Sequence, residues 1–327
     1  LSNMPVNTKA IKRRIKSVGS TKKITKAMEM ISAVKMRKAT EAAVNTRTYA
    51  TLAWDLLVKL SEVKKENLPL LDVRQVKKIL VILITSNRGL CGSFNTNIIK
   101  KTAAQLENPK NIGRQRAGSE VFEPTEKIEV DVIGVGKKGA DFAKKMGYHL
   151  VASFSDFSDT PNLNDVMPIS RMVIEEYEKK NYDKVVVAYT DYKSAINQVA
   201  KLRQVLPISQ FDLEKMIADL GEDTVERNAV KNMPKEKVEF ELDSYLFEPT
   251  QDSVLEIILP RLVETQIYQA VLESSASEHS ARMFAMRNAS DAATDMIKEL
   301  SLIFNKARQA SITQEIAEIA GGAAALE

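Results

Sequence analysis

The sequence predicts an α/β protein: a long antiparallel coiled coil of N- and C-terminal helices plus a Rossmann-like α/β domain with a mostly parallel sheet. Residues 261–320 contain neither proline nor glycine, the residues that most reliably end a helix. Residues 6–68 lie between two prolines and contain one glycine, Gly19. Between these stretches, apolar runs alternate with helical segments, which indicates parallel strands with helices packed on the sheet faces.

The first helix is strongly basic. The whole chain of 327 residues has a net charge of only +4, which by itself does not indicate nucleic-acid binding. Within the first 38 residues, however, Glu29 is the only acid. The basic residues there are Lys9, Lys12, Arg13, Arg14, Lys16, Lys22, Lys23, Lys26, Lys35, Arg37 and Lys38. Nucleic acid, an anionic lipid surface or an acidic protein cavity would each account for this asymmetry.

Apolar residues recur at helical spacing along the same helix, so we expect it to pack in a coiled coil with its charges outward. In its first half they are Ile11, Ile15, Val18, Ile24, Met28, Ile31 and Val34. In its second half the steps of four and three pass through Ala42, Thr46, Tyr49, Ala53, Leu56, Leu60 and Val63. The first half has no aromatic residue for base stacking, which argues against a nucleic-acid arm.

The body of the chain changes from a helical to a strand-like period. Residues 79–85 form a continuous, β-branched apolar run, as expected of a strand covered on both faces. A turn at 86–93 precedes a predicted helix at 94–106. Further strands are predicted at 128–135, 150–154 and 184–190, with edge strands at 200–208 and 238–247. Residues 108–125 are predicted to be a loop or insertion, and residues 214–237 a second insertion.

The C-terminal stretch predicts the second long helix. At 1.5 Å per residue, residues 261–320 would extend roughly 90 Å. Its predicted inward positions are Ala285, Ala289, Ala292, Met296, Leu300, Ile303, Ala307 and Ala310. Small residues there would let two helices approach closely. We therefore expect an N-terminal helix in 1–68, an α/β domain in 69–248 and a C-terminal helix in 249–327, with Pro260 either tolerated near its start or kinking it.

One motif suggests an enzyme. Residues 134–139, Gly-Val-Gly-Lys-Lys-Gly, match the dinucleotide-binding pattern, and Asp156 lies where a ribose-binding acid would be sought. A tight strand-to-helix turn with two solvated lysines explains the same residues more simply, because the motif follows the second strand rather than the first. A dinucleotide-dependent oxidoreductase therefore remains an alternative hypothesis.

Other chemistry has little support in the sequence. Cys91 is the only cysteine and the chain has only His149 and His279, so neither a nucleophilic site nor a metal cluster is expected. The single cysteine also excludes an internal disulfide and fits a reducing compartment. No apolar run is long enough to cross a membrane, and no signal-peptide core precedes the first helix.

Several stretches resemble the gamma subunit of F-type ATP synthases. They are Lys23–Met30 with Lys35–Lys38, the turn Ser86–Gly92, and the C-terminal runs Glu273–Met283 and Asn305–Glu315. The family more usually has aspartate where Asn87 stands and glycine where Ser93 stands. The similarity extends from about Lys9 to Ala324 and is weakest at 108–125 and 219–237.

The resemblance implies a rotary shaft that transmits torque between a membrane ring of c subunits and a hexamer of alpha and beta subunits. The α/β body would be a foot on the ring beside the epsilon subunit. The chain would then supply no catalytic group and need no cofactor, and it would lie peripherally on the cytoplasmic face of a bacterial inner membrane, or on the matrix face in an organelle. A coiled-coil adaptor that binds nucleic acid remains the other alternative.

The resemblance also assigns partner-binding residues. Those expected to face the alpha/beta hexamer are Lys26, Met28, Arg282, Arg308, Gln309, Thr313 and Glu315. Those expected to meet the c ring and epsilon are Tyr245, Phe247 and Glu248.

Overall fold

The computed structural model describes residues 8–60, 68–117, 120–125, 127–155, 157, 161–208 and 251–324, with backbone only at 47–60, 116–117, 120–121, 251–252 and 323–324. These residues form two compact units. One, the coiled-coil segment, contains residues 8–33 and 282–324; the other, the sheet domain, contains the described part of 34–281. No helix among the described residues is long and apolar enough to cross a membrane.

Six α-helices and seven strands are described. The helices are α1 (Thr8–Leu60), α2 (Phe94–Glu107), α3 (Lys110–Gly113), α4 (Lys137–Met146), α5 (Leu163–Glu178) and α6 (Gln251–Ala324). The strands are β1 (Lys78–Ile84), β2 (Gln115–Ala117), β3 (Glu120–Phe122), β4 (Glu129–Val135), β5 (His149–Phe154), β6 (Lys184–Tyr192) and β7 (Gln198–Leu206). A short 3-10 helix, Pro69–Leu71, precedes β1.

Five strands form one sheet in the order β5-β4-β1-β6-β7. The pairs β1–β4, β1–β6 and β4–β5 are parallel, and only β6–β7 is antiparallel. The predicted mostly parallel sheet is therefore confirmed. The antiparallel pair follows from the short connection between β6 and β7, since a parallel pair needs a crossover of a dozen or more residues.

Alternate residues of β1 point into two apolar cores. Leu80, Ile82 and Ile84 pack with α5 and with the first half of α6. Ile79, Val81 and Leu83 pack with α2 and α4 on the other face. Because both faces are covered, β1 has a continuous apolar sequence rather than an alternating one.

In the coiled-coil segment, α1 and α6 run in opposite directions, because α1 leaves this unit at Ala33 and α6 enters it at Arg282. The hydroxyls of Thr25 and Ser290 meet at 2.7 Å and are buried. Equal steps away from this pair reach half-buried apolar residues on both helices, namely Val18, Ile15 and Ile11 on α1 and Ile297, Leu300 and Phe304 on α6.

The predicted inward faces of both helices are partly wrong. On α6 the buried and half-buried heptad positions are Met286, Ser290, Ala293, Ile297, Leu300, Phe304 and Ala307. Of the predicted positions, Ala292, Met296, Ile303 and Ala310 are exposed. On α1, Ile24, Ile31 and Val34 are exposed, whereas Thr25 and Ser32 are buried. Side chains of α1 beyond residue 46 lie outside the description.

One further expectation differs from the structure. Residues 108–125 are not simply a loop, because they contain α3 and the antiparallel hairpin β2–β3. Pro260, expected either to be tolerated near the start of the last helix or to kink it, lies inside α6, which begins nine residues earlier at Gln251. The predicted strand at 238–247 and the insertion at 214–237 lie outside the described residues.

Candidate functional site at the sheet edge and along the coiled coil

The strands β1 and β6 end beside each other where the direction of the strand connections reverses. From β1 the chain moves to β4 and β5 by way of α2 and α4 on one face, and returns to β6 through α5 on the other. In doubly wound sheets, ligands bind in the crevice outside the strand ends at such a reversal. A nucleotide would therefore be expected between the carboxyl ends of β1 and β6.

The turn after β1 is held by hydrogen bonds among its own groups. The fully buried Ser86 donates its N–H to Asn95 Oδ1 at 3.0 Å and its hydroxyl to the Arg88 carbonyl at 2.6 Å. The Asn95 amide donates to Ser86 Oγ at 2.7 Å and to Cys91 Sγ at 3.2 Å. Cys91 is thus a buried, hydrogen-bonded part of the turn, which favours its structural interpretation.

Asn87 connects this turn to two other strand ends. Its amide nitrogen donates to the Ser155 carbonyl, just after β5, at 2.7 Å. Its Oδ1 accepts from the backbone N–H of Lys137, the first residue of α4, at 3.1 Å. The first contact needs a donor, which an ionised aspartate at this position would lack.

The glycine-rich turn at 134–139 follows β4, which does not lie at the reversal point. Gly136 has φ +91°, and a Cβ at this position would collide with the carbonyl oxygen of Thr85. The glycine is therefore required by close packing of two backbones. Asp156, the expected ribose-binding acid, lies outside the described residues.

The N–H groups at the start of α4 are already used within the protein. Their acceptors are Asn87 Oδ1 for Lys137 (3.1 Å), the Ser86 carbonyl for Lys138 (3.3 Å) and Thr85 Oγ1 for Gly139 (2.7 Å). These are the donors that a pyrophosphate would need. The structure therefore favours a tight structural turn over a dinucleotide site.

The α6 helix occupies the crevice instead of a ligand. Ser277 and Ser280 are fully buried there. The Ser277 hydroxyl donates to the Thr190 carbonyl of β6 at 3.2 Å, and the Ser280 hydroxyl donates to the Ala195 carbonyl of the β6–β7 hairpin at 2.6 Å. These contacts attach one side of α6 to the end of β6.

The turn after β1 reaches the same part of α6. A Cβ added to Gly92 would lie 3.9 Å from the carbonyl oxygen of Ala281, an ordinary van der Waals distance. The helix is thus flanked by the β1–α2 turn and the β6–β7 hairpin, the two loops that would line a ligand crevice.

A polar cluster lies at the opposite, amino ends of the strands. The buried Asp131 carboxylate accepts from Tyr182 at 2.8 Å and pairs with Lys78 at 3.0 Å and with His149 at 3.2 Å. Burial alone would raise the pKa of Asp131, but these three hydrogen bonds outweigh it and hold the pKa below its ordinary value. Burial and the bond to Asp131 raise the pKa of Tyr182.

The sequence-predicted residues nearest the start of the coiled coil differ in accessibility. The Lys26 side chain is 57% exposed and pairs with Glu29 at 2.9 Å. Met28 is half-buried, and Arg282 is nearly buried. Lys26 is therefore available to a partner, whereas Arg282 lies mostly within the chain.

The other four predicted residues lie on the last turns of α6. Arg308, Gln309, Thr313 and Glu315 are all exposed, and the steps between them place them on one side of the helix. Three isoleucines that sequence reasoning did not select lie on the same side. Ile312, Ile316 and Ile319 are 47%, 62% and 74% exposed.

Comparison with known proteins places the chain in a family. A family model described as ATP synthase matches residues 7–326. A protein of Dehalococcoides mccartyi named ATP synthase gamma chain is 39% identical, over 98% of this chain and 99% of its own length. One of the same name from Herpetosiphon aurantiacus is 40% identical, with the same coverage. The chain belongs to the ATP synthase gamma chain family.

Solved structures are similar in fold. A chain of the Tetrahymena thermophila mitochondrial ATP synthase central stalk and c-ring is 25% identical, with a TM-score of 0.54 over 82% of this chain and 99% of its own length. A chain from the Euglena gracilis mitochondrial ATP synthase gives a TM-score of 0.57 over 98% of this chain and 94% of its own, and at 19% identity it shows the fold alone.

Membership of the gamma chain family decides among the three hypotheses drawn from the sequence. A gamma chain is a non-catalytic subunit, and the catalytic sites of ATP synthase lie in the beta subunits. Its role is that of the central stalk. The glycine-rich turn and the basic first helix are therefore parts of a rotor rather than of an oxidoreductase or a nucleic-acid adaptor.

Proposed function

We propose that the coiled-coil segment is the shaft that turns inside a hexamer of alpha and beta subunits, and that the sheet domain is the foot on a ring of c subunits beside epsilon. On this proposal, Lys26, Met28, Arg282, Arg308, Gln309, Thr313 and Glu315 contact the hexamer. The chain would lie peripherally at the cytoplasmic face of the membrane, or at the matrix face in an organelle.

The exposed end of α6 carries this proposal. Every described side chain from Arg308 to Gly322 is exposed, including Ile312, Ile316 and Ile319. Burying an isoleucine stabilises an assembly by roughly 1.5–3 kcal/mol. A helical stretch with three exposed isoleucines on one side is therefore expected to lie against a partner, and a sleeve formed by the hexamer would cover it.

The first helix supports the same partner. Ile24, Ile31 and Val34 are 60%, 55% and 57% exposed, and the exposed Lys23, Lys26 and Lys38 lie within a few residues of them. An apolar stripe flanked by basic residues fits a partner surface that combines apolar contacts with carboxylates. Carboxylates of the beta subunits would supply the acidic component.

Coupling follows from asymmetry. A shaft that presents different side chains to each of three beta subunits binds each conformation with a different affinity. Turning the shaft then shifts every subunit through the same sequence of ligand states, which is coupling by differential affinity. The chain needs no catalytic group for this role.

The foot contacts proposed for the c ring and epsilon involve Tyr245, Phe247 and Glu248, which lie outside the described residues. Their assignment is supported by the family resemblance of the segment before Pro249.

Reconstitution tests the proposal. The chain is mixed with matching alpha and beta subunits, and the stoichiometry and magnesium-dependent ATPase rate of the purified complex are measured. We expect one copy per hexamer and a rate well above that of alpha and beta alone. A folded chain that forms no complex would contradict the shaft.

A pair of double variants locates the contact. Ile312→Glu with Ile316→Glu places charges on the proposed contact side, whereas Ala310→Glu with Ala317→Glu places the same charges on other exposed positions of α6. Because burying an unpaired charge is costly, we expect the isoleucine pair to reduce complex formation at least about tenfold more than the alanine pair. Equal effects would argue against an oriented contact.

A further inference from the structure

We propose that the β1–α2 turn and the β6–β7 hairpin form a clamp that fixes α6 against rotation about its own axis in the sheet domain, with Ser277 and Ser280 as its positioning residues. This inference rests on the proposed shaft function and names where torque passes between the foot and the long helix. The clamp uses the crevice in which a doubly wound sheet would otherwise bind a ligand.

Two directional contacts lie on one side of α6. Ser277 and Ser280 are three residues apart, so their side chains point the same way from the helix. Both hydroxyls donate to backbone carbonyls, Ser277 to Thr190 at 3.2 Å and Ser280 to Ala195 at 2.6 Å. A rotation of α6 would break both bonds and leave the hydroxyls buried without partners, which is unfavourable.

The apolar contacts of α6, unlike its serine hydrogen bonds, do not depend on direction. Toward its amino end, Leu259, Leu262 and Val263 are buried against the sheet. Apolar contacts are non-directional, and they resist separation of the helix from the sheet more than a small rotation of the helix. The two serine contacts, together with the bond from the Tyr268 hydroxyl to the Pro161 carbonyl at 3.3 Å, are directional contacts that oppose rotation of α6.

The hairpin arm of the clamp is closed by its own hydrogen bonds. The N–H groups of Lys193 and Ser194 donate to the Asn197 carbonyl at 3.2 and 3.0 Å. The Gln198 side chain donates to the Ala195 carbonyl at 2.7 Å and to Ser280 Oγ at 3.4 Å. An arm braced in this way transmits force rather than bending.

The other arm is the turn at 86–93. Its hydrogen bonds among Ser86, Asn95 and Cys91 fix its shape, and Asn87 ties it to the ends of β4 and β5. Gly92 lies next to the carbonyl of Ala281, and its φ of +56° is a backbone conformation that favours glycine. The helix thus lies between two arms, each anchored to the central strands.

The chain offers a matched control at Ser274. It lies one turn before Ser277 on the same helix, is also buried, and its hydroxyl has no hydrogen-bond partner among the residues that the structure describes. Ser274→Ala therefore removes the same atom from the same environment without breaking a contact. Any difference between the substitutions isolates the effect of the two carbonyl bonds.

The test uses the complete ATP synthase in membrane vesicles, with the ATP hydrolysis rate and ion pumping measured together. For Ser277→Ala with Ser280→Ala we expect hydrolysis to continue while ions pumped per ATP fall by about fivefold, because two buried contacts are lost. Ser274→Ala should keep the wild-type ratio. An unchanged ratio in the double variant would overturn the clamp.

A second variant decides the matter if the double variant does not assemble. Ala195→Cys with Ser280→Cys joins α6 to the hairpin by a disulfide on oxidation. Because Ser280→Cys removes one of the two serine contacts, we expect the reduced enzyme to pump fewer ions per ATP and the oxidised enzyme, in which the disulfide replaces that contact, to recover the wild-type ratio. Loss of pumping on oxidation, or no difference between the two forms, would overturn the clamp. If the wild-type chain itself fails to assemble, the shaft proposal fails instead.

Discussion

At the scale of single residues, substitutions at three glycines distinguish the cost of a strained backbone from the cost of a steric collision. Gly136 has φ +91° and no room for a Cβ beside Thr85, Gly147 has φ +76° with open space, and Gly89 has neither constraint. We expect alanine at these positions to lower the free energy of unfolding by about 3 or more, about 1 and about 0 kcal/mol, respectively.

Urea unfolding of the three variants, followed by circular dichroism, measures this series. A loss at Gly136 no larger than that at Gly147 would show that the contact with Thr85 relaxes without cost. The motif around Gly136 matches a dinucleotide pattern in sequence, and only the structure shows that the missing Cβ accommodates a carbonyl of the same chain rather than a phosphate. Both uses need glycine, so residue identity alone does not separate them.

Asn87 gives a second prediction at this scale. In Asn87→Asp the bond from Lys137 persists and the N-terminus of α4 favours the charge by about 0.3–1 kcal/mol. The carboxylate, however, cannot donate to the Ser155 carbonyl and lies beside it, a loss of about 1–3 kcal/mol. We expect a net destabilisation of about 1 kcal/mol at pH 7.

This deficit should shrink near pH 3, where the protonated aspartic acid regains a donor. Unfolding midpoints of wild type and variant at the two pH values provide the measurement. A variant as stable as wild type at pH 7 would mean that the Ser155 carbonyl finds another donor.

At the scale of elements, the hydroxyl pair Thr25–Ser290 is predicted to link the two long helices energetically. Each hydroxyl also lies near a carbonyl of its own helix, Lys22 for Thr25 at 3.0 Å and Met286 for Ser290 at 2.9 Å. Single substitutions should therefore be mild. A double-mutant cycle of Thr25→Val and Ser290→Ala should give a coupling of about 1 kcal/mol in unfolding free energy.

A control cycle uses Thr21→Val in place of Thr25→Val. Thr21 is exposed and its hydroxyl bonds to Ser17 on its own helix, so its coupling to Ser290 should be close to zero. Equal coupling in the two cycles would indicate a general effect of the substitutions rather than the cross-helix bond.

The same helices show what sequence periodicity does not determine. The long helices and the parallel sheet were predictable, because proline-free heptads and β-branched runs are local signals. The inward face of α6 was not, because Ala292 and Ala293 are adjacent and both Met296 and Ile297 are apolar. One side of α6 packs against its own chain, and another side is proposed to contact a partner. Because both sides are apolar, the sequence alone does not show which side is packed within the chain. On α1 the packed side includes the buried polar residues Thr25 and Ser32, so an apolar pattern does not identify it.

At the scale of the whole molecule, the α6 contacts were also beyond the sequence. Ser277 and Ser280 fall in a serine-rich run, residues 274–280, whose four serines have the same side chain but different surroundings in the fold. Only the folded sheet brings Thr190 and Ala195 to two of them. Long-range hydrogen bonds of this kind depend on topology, whereas helix and strand periods do not.

Three buried ionisable residues, Asp131, Tyr182 and Tyr177, should make the free energy of unfolding depend on pH. The pKa of Asp131 is lowered in the folded state, so its stabilisation is present above the unfolded value of about 4 and is lost as pH falls below it. Burial raises the pKa of Tyr182 and Tyr177, so their contribution is present below the unfolded value of about 10 and is lost as pH rises above it. Stability should therefore fall in both acid and alkali.

A single substitution at Tyr182 should alter the loss of stability at both acid and alkaline pH, because Tyr182 is itself ionisable and donates to Asp131 at 2.8 Å. Tyr182→Phe keeps the ring, removes an ionisable group and takes one donor from the carboxylate. We expect unfolding midpoints that fall less steeply above pH 10 and also less steeply below about pH 4, because the folded pKa of Asp131 moves closer to its unfolded value. Tyr192→Phe, at the end of β6 and outside the cluster around Asp131, should change neither loss. A Tyr182 variant altered only in alkali would show that Lys78 and His149 suffice to hold the pKa of Asp131 down.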